Sequence, residues 1–189
     1  MNWYNVFLFF HITCAVIWLG AGFLLQIQAT RASRSNDRAA IVHALRDNGS
    51  LAPVLFIPAS FGALAFGVAL VIDGGWGFDQ LWIILGLIGF FTTFAMGLFI
   101  LKPRSQKIAE MVKRDGGLSD EALAAARKLL VIGRIDLVIL YAVVANMALK
   151  PTAEDVTTLA VMGVVIAAAI AAVLLFAHSA GRPRQVAHA

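Results

Sequence analysis

The sequence predicts an all-α, polytopic membrane bundle of five transmembrane helices, and three observations carry that prediction. Hydrophobic residues make up 60% of the 189-residue chain, and the mean hydropathy is +0.84. Apolar runs of about 20 residues, enough to cross roughly 30 Å of hydrocarbon as a helix, recur five times. The charged residues gather between those runs. In lipid the backbone must satisfy its own hydrogen bonds, and a helix does so within one segment.

The spans are read at residues 4–27, 52–72, 81–101, 129–149 and 156–177, in a single membrane domain covering 1–189. The first run has no Lys or Arg before Arg31 and is longer than a signal-peptide core, so it reads as a span rather than a cleaved leader. In the loop at 28–51, Asn36 is a candidate cap of a short helix with Asp37 in its first turn. Ile41, Val42 and Leu45 share a face of that helix, and Asn48-Gly49 is expected to end it. Pro53 suits the first turn of the second span, and Pro58 is expected to kink that span or break its hydrogen-bond ladder. Residues 73–77, Asp-Gly-Gly-Trp-Gly, read as a turn.

The loop at 102–128 is expected to be partly helical. Ile108, Met111 and Val112 form a narrow apolar face among Lys107, Lys113 and Arg114, a pattern that suits a membrane surface. Gly116-Gly117 breaks that segment. Ser119 then caps a new helix with Asp120 and Glu121 in its first turn, and nothing interrupts it before Leu149. Small residues recur four apart at Ala59, Ala63 and Gly67 in the second span and at Gly163, Ala167 and Ala171 in the fifth. That spacing lets helices approach closely, within one bundle or across a homodimer or larger membrane complex.

Charge sets the expected orientation. The loop at 28–51 holds four basic residues, the loop at 102–128 seven and the tail two (Arg182 and Arg184), thirteen of the fifteen in the chain. With five spans all thirteen fall on one side. The positive-inside rule then puts the N-terminus outside and the C-terminus in the cytoplasm of a bacterial inner membrane. Trp3, Tyr4, Trp76 and Trp82 form an aromatic belt at the outer face. The basic excess is thus a topology signal, and nucleic acid is not an expected partner, because no aromatic residues interleave with the basic ones.

Polar residues inside the spans are the candidate site, because they are costly in hydrocarbon. On a helix, residues seven apart nearly superimpose, so His11, Cys14, Ala15, Trp18 and Gly22 form one stripe. It is polar or small where a lipid-facing stripe is branched and apolar, so it is expected to face the bundle interior. Imidazole binds haem iron, copper or zinc, and Cys14, one turn away, could assist with a soft metal. The alternative for His11 is a neutral imidazole hydrogen-bonded to a neighbouring helix. Cys14 is the only cysteine, so there is no disulfide to read. His178 is expected at the opposite end of the membrane, and His43 and His188 in cytoplasmic segments. Met147 and Met162 lie nearer the depth of His11 and are candidate second ligands for haem or copper(I).

The fourth span carries Arg134, Asp136, Tyr141 and Asn146. A charge at the centre of a span costs about 2.5–3.5 kcal/mol on insertion scales. Arg134 is close enough to the span's end to snorkel out, and Asp136 lies deeper. Residues two apart do not face each other, so Asp136 is expected to pair with Arg31 or Lys102, or to serve proton transfer or an anion-binding pocket. Asn146 is a candidate hydrogen-bond partner for His11.

His11, Trp18 seven residues later, the small Gly20 and Gly22, and the basic Arg31 together resemble the first span of a bacterial membrane superfamily. That superfamily includes copper-resistance D proteins and haem-dependent membrane protoporphyrinogen oxidase. The chain more closely resembles a family of predicted integral membrane proteins of unknown function, over roughly residues 5 to 150. The shared features are the prolines of the second span (Pro53, Pro58), a Trp opening the third (Trp82), and a Pro with basic residues after it (Pro103, Arg104, Lys107). The resemblance implies that His11 matches a first-span histidine associated with haem in the oxidase relatives. Those relatives place a lysine shortly after the Trp that opens the third span. Here the stretch 82–87, Trp-Ile-Ile-Leu-Gly-Leu, has none, so the resemblance carries no enzymatic activity with it.

Three readings follow. One is haem b or copper bound through His11, with Met147, Met162 or Cys14 assisting, in membrane redox chemistry or metal handling. Another is a non-catalytic accessory subunit of a larger membrane complex. The third is a small-solute or proton pathway lined by His11, Asn146 and Asp136. No catalytic residue is assigned in any of them.

Overall fold

The computed structural model describes residues 2–35 and 37–180, and all of its regular elements are helices. They are α1 (Trp3–Arg34), α2 (Arg38–Asp73), α3 (Leu81–Ala95), α4 (Lys102–Arg114), α5 (Asp120–Leu149) and α6 (Val156–Ala180). A π-helical segment, Met96–Leu101, joins α3 to α4 without a break. Among the described residues five helical stretches are long and apolar enough to cross a membrane, as the sequence predicts.

α1 and α2 pack along each other as an antiparallel pair. α5 lies centrally and touches α1, α3, α4 and α6, while α6 packs on α5. At 1.5 Å per residue, the 32 residues of α1 and 36 of α2 run roughly 48 and 54 Å, well beyond the hydrocarbon core. The excess over a hydrocarbon core's thickness forms a small helical cluster with a core of its own: Ala32, Ile41, Met111, Leu118 and Ala122.

Several loop expectations are corrected by that cluster. Asn48-Gly49 does not end a short helix, because α2 runs unbroken from Arg38 to Asp73 with Pro53 and Pro58 inside it. The stretch of α2 long and apolar enough to cross a membrane is Pro53–Asp73, so Pro53 opens the span without opening the helix. Each proline lacks the N–H that its ladder needs. The close pairing with α1 carries the helical path across both gaps. Asp37 is the N-cap, its carboxylate accepting from the backbone N–H groups of Ala39 (2.8 Å) and Ala40 (3.3 Å). The cap expected at Asn36 lies outside the described residues. The apolar face of α4 does not lie on a membrane surface either. Ile108 and Met111 are buried, and α4 packs on α2 and α5.

Other signals hold. Gly116, with φ +68°, ends α4. The Ser119 hydroxyl accepts from Ala122 N–H at 3.4 Å and opens α5, which continues to Leu149. Arg38 ties the starts of α2 and α5 together, donating to the Leu118 carbonyl at 2.7 Å and to Asp120 at 2.5 Å. At the opposite end three residues of the expected aromatic belt, Tyr4, Trp76 and Trp82, form one cluster, while Trp3 is exposed and stacks on Phe7. Trp76 meets Tyr4 and Trp82 edge to face, and the Lys150 ammonium sits 4.3 Å above the Trp76 ring and 5.1 Å above that of Trp82.

Candidate functional site

The stripe read from the first span faces inward along α2. Trp18 is buried with Ala59, Ala63 and Leu140, and meets Phe90 edge to face at 5.4 Å. Cys14 lies against Gly62, where any β-carbon would collide with its sulfur. Gly22 leaves just enough room for Leu137 of α5 and Phe56 of α2. His11 is half-buried, and its Nδ1 lies 2.8 Å from the carbonyl oxygen of Ala63.

A carbonyl oxygen only accepts, so this hydrogen bond requires the proton on Nδ1. The bond therefore fixes the tautomer of the neutral ring and leaves Nε2 with a free lone pair. The contact depends on Gly67. The Ala63 carbonyl belongs to the helical ladder and points toward residue 67, four positions on. A β-carbon there would stand 3.1 Å from His11 Cε1 and 3.2 Å from Nδ1. Without one, the second lone pair of the carbonyl is open to the imidazole. The small-residue spacing Ala59-Ala63-Gly67 thus serves a polar contact as well as close packing.

A second polar contact crosses the α3–α5 interface. Asn146, 3% exposed, donates from Nδ2 to the Trp82 carbonyl at 2.6 Å. Four residues after Trp82 stands Gly86, where a β-carbon would make ordinary contact with that nitrogen at 3.6 Å but would collide with Met147. Asn146 is therefore engaged with α3 instead of with His11. Met147 packs beside it against Trp82, Val71 and Ile83, and Met162 is half-buried on α6. A third polar clip, unread in the sequence, joins α1 to α5: Gln26 donates from Nε2 to the Leu130 carbonyl at 3.0 Å and lies against Gly133. An amide in the middle of an apolar run was its available signal.

The expected partners of Asp136 do not reach it. Neither Arg31 nor Lys102 pairs with it, and its Oδ1 is buried without a hydrogen-bond partner. Asp136 shares a face of α5 with Gly133 and Leu140, the residues that meet Gln26 and Trp18 of α1. Arg134 turns to another face and donates to the Thr30 hydroxyl at 3.2 Å. With Tyr141 it borders a groove between α1 and α5. His43 and His178 are exposed, and His188 lies outside the described residues. Among the described residues no three His, Cys, Asp or Glu side chains converge as a metal cluster. His11, Asn146 and Asp136 do not hydrogen-bond to one another.

The family model for predicted integral membrane proteins designated DUF2269 matches residues 5–151. The chain belongs to that family. The matched stretch holds α1 through α5 with nearly all of their contacts, including the His11–Ala63 and Asn146–Trp82 pairs, and stops short of α6. No curated protein and no solved structure matches the chain.

Proposed function

We propose that this DUF2269 protein is a multi-pass protein of a bacterial inner membrane that holds haem b through His11 Nε2, in membrane redox chemistry or metal handling. One observation carries the reading: His11 Nδ1 donates to the Ala63 carbonyl. Histidines that ligate a metal almost always give their other ring N–H to a carbonyl or carboxylate, which fixes the tautomer, orients the ring and raises the basicity of the ligating nitrogen. Here the donor, the acceptor and the space at Gly67 meet that requirement. A bound haem would supply one-electron iron chemistry, and the protein's part is to orient the imidazole and keep the proton on Nδ1. His11 would hold the group by itself in this proposal, so Met147 and Met162 are not required. Copper needs more donors than His11 and Cys14 supply, so haem fits the donor set better. The basic loops orient the chain with its C-terminus in the cytoplasm.

The experiment is a visible spectrum of protein purified in mild detergent, with iron and copper measured on the same sample. A Soret band that disappears in His11→Ala supports the proposal. A colourless, metal-free preparation contradicts it. A second reading, an accessory subunit or homodimer that docks through α6, draws on the exposure of Gly163, Ala167 and Ala171 on a helix that packs on α5. A colourless preparation that co-purifies with a fixed partner favours that reading.

A further inference from the structure

We propose that the groove between α1 and α5 at the end bearing the basic loops is a binding site for an anionic phospholipid, its phosphate held by Arg31, Arg34 and Arg134. The groove has a volume of about 470 Å³. Its polar end is lined by those three arginines with Thr30, and its apolar end by residues that include Phe23 and Tyr141.

Three observations point to this occupant. The first is charge. None of the three guanidinium groups has a carboxylate partner, and the ion pairs found among the described residues are Arg38–Asp120 and Arg114–Asp115. Three unpaired cations around one cleft form a strongly positive site, and guanidinium matches the geometry of a phosphate with paired N–H donors.

The second is the placement of Arg134. Basic residues in the last turn of a helix complement its dipole, and that alone accounts for Arg31 and Arg34 at the end of α1. Arg134 stands in the interior of α5, fourteen positions after the helix begins at Asp120. It is half-buried, and it donates across to Thr30 instead of reaching out to water. Two helices therefore contribute cations to the same cleft.

The third is the shape of the wall. Phe23 and Arg34 are eleven positions apart on α1, roughly 16 Å along the helix axis. The groove thus runs from the level of a headgroup into the hydrocarbon. Phe23 and Tyr141 are 50% and 47% exposed, so its apolar end opens sideways to lipid, where an acyl chain would lie. A small soluble anion has no use for such a wall. Basic pockets between spans at a membrane face are recognised headgroup sites.

The test uses the full chain in detergent and native mass spectrometry with added lipid. Phosphatidylglycerol should be retained on the wild type, and phosphatidylcholine of the same acyl chains should be retained more weakly. Each arginine near the surface is worth about fivefold in affinity. Arg134→Gln should therefore weaken retention about fivefold and Arg31→Gln/Arg34→Gln about 25-fold, while the exposed Arg104→Gln leaves it unchanged. Because Arg31 and Arg34 are exposed, their double variant gives a result even if Arg134→Gln does not fold. Arg134→Lys, which keeps the charge, should recover part of the loss. Equal retention of both lipids, or unchanged retention in Arg31→Gln/Arg34→Gln, would overturn the proposal. So would displacement of the lipid by millimolar inorganic phosphate, which would mark a site for a soluble anion.

Discussion

Replacing Gly67 by alanine perturbs the contact on which the candidate site rests. The added β-carbon would sit 3.1 Å from Cε1 and 3.2 Å from Nδ1 of His11, closer than ordinary van der Waals contact. The imidazole must retreat, and its 2.8 Å bond to the Ala63 carbonyl lengthens. Hydrogen bonds between membrane helices are worth about 0.6 kcal/mol on average and up to about 1.7. Alanine also stabilises a helix interior over glycine by about 0.8–1.0 kcal/mol. The two effects oppose each other, so Gly67→Ala alone is expected to change stability little. The decisive quantity is the coupling in a double-mutant cycle with His11→Ala. The propensity gain occurs in both backgrounds and cancels, while the lost bond occurs only where the imidazole is present. The expected coupling is about 0.6–1.7 kcal/mol, read from unfolding in mixed micelles. Simple additivity, within about 0.3 kcal/mol, would refute the claim that Gly67 opens the carbonyl to His11.

Three further outcomes are expected. Asp37→Ala removes the α2 cap and should cost about 1 kcal/mol, seen as faster hydrogen exchange at Ala39 and Ala40 with the rest of the bundle unaffected. Lys150→Gln removes the cation above Trp76 and Trp82; it should cost about 0.5–1 kcal/mol and change tryptophan emission, and an unchanged spectrum would contradict the cluster. Asp155, just ahead of α6, accepts from the Thr152 backbone N–H and hydroxyl, which hold its carboxyl below the ordinary value of 3.8. A pKa depressed by folding stabilises the folded state above that ordinary value, and the contribution is lost as pH falls toward the folded pKa. Carboxyl NMR of Asp155 should therefore titrate below the ordinary range, and Thr152→Val should raise it only part of the way, because the backbone N–H of residue 152, the larger cause, still donates.

Local signals were legible in the sequence and tertiary ones were not. The five spans, the Gly116-Gly117 break, the Ser119 cap and the inward stripe of α1 each depend on residues close in sequence. Asn48-Gly49 reads as a helix end, and Pro53 as a helix start, because their local preferences are real. Both lie in α2, whose pairing with α1 carries the helix through them. Ile108 and Met111 read as a membrane-surface face because nothing local shows that α2 and α5 pack against them. The partner of His11 was illegible for a different reason: it is a backbone carbonyl, and no residue type marks one. The available trace is a glycine four positions beyond the acceptor, as at Ala63/Gly67. The same absence of sequence marking left Asn146 open as a partner for His11, when its acceptor is the Trp82 carbonyl.

The account rests on which ring nitrogen of His11 carries the proton. Nitrogen-15 NMR of the cofactor-free protein, labelled at histidine in lipid bilayers and assigned through His11→Ala, reads this directly. The account predicts a neutral ring protonated at Nδ1 with Nε2 bare, a reversal of the tautomer that free imidazole side chains favour in water. It also predicts that Gly67→Ala shifts the population back. A neutral His11 protonated at Nε2 would mean that the Ala63 carbonyl does not hold the ring, and that Nε2 is not available as a ligand.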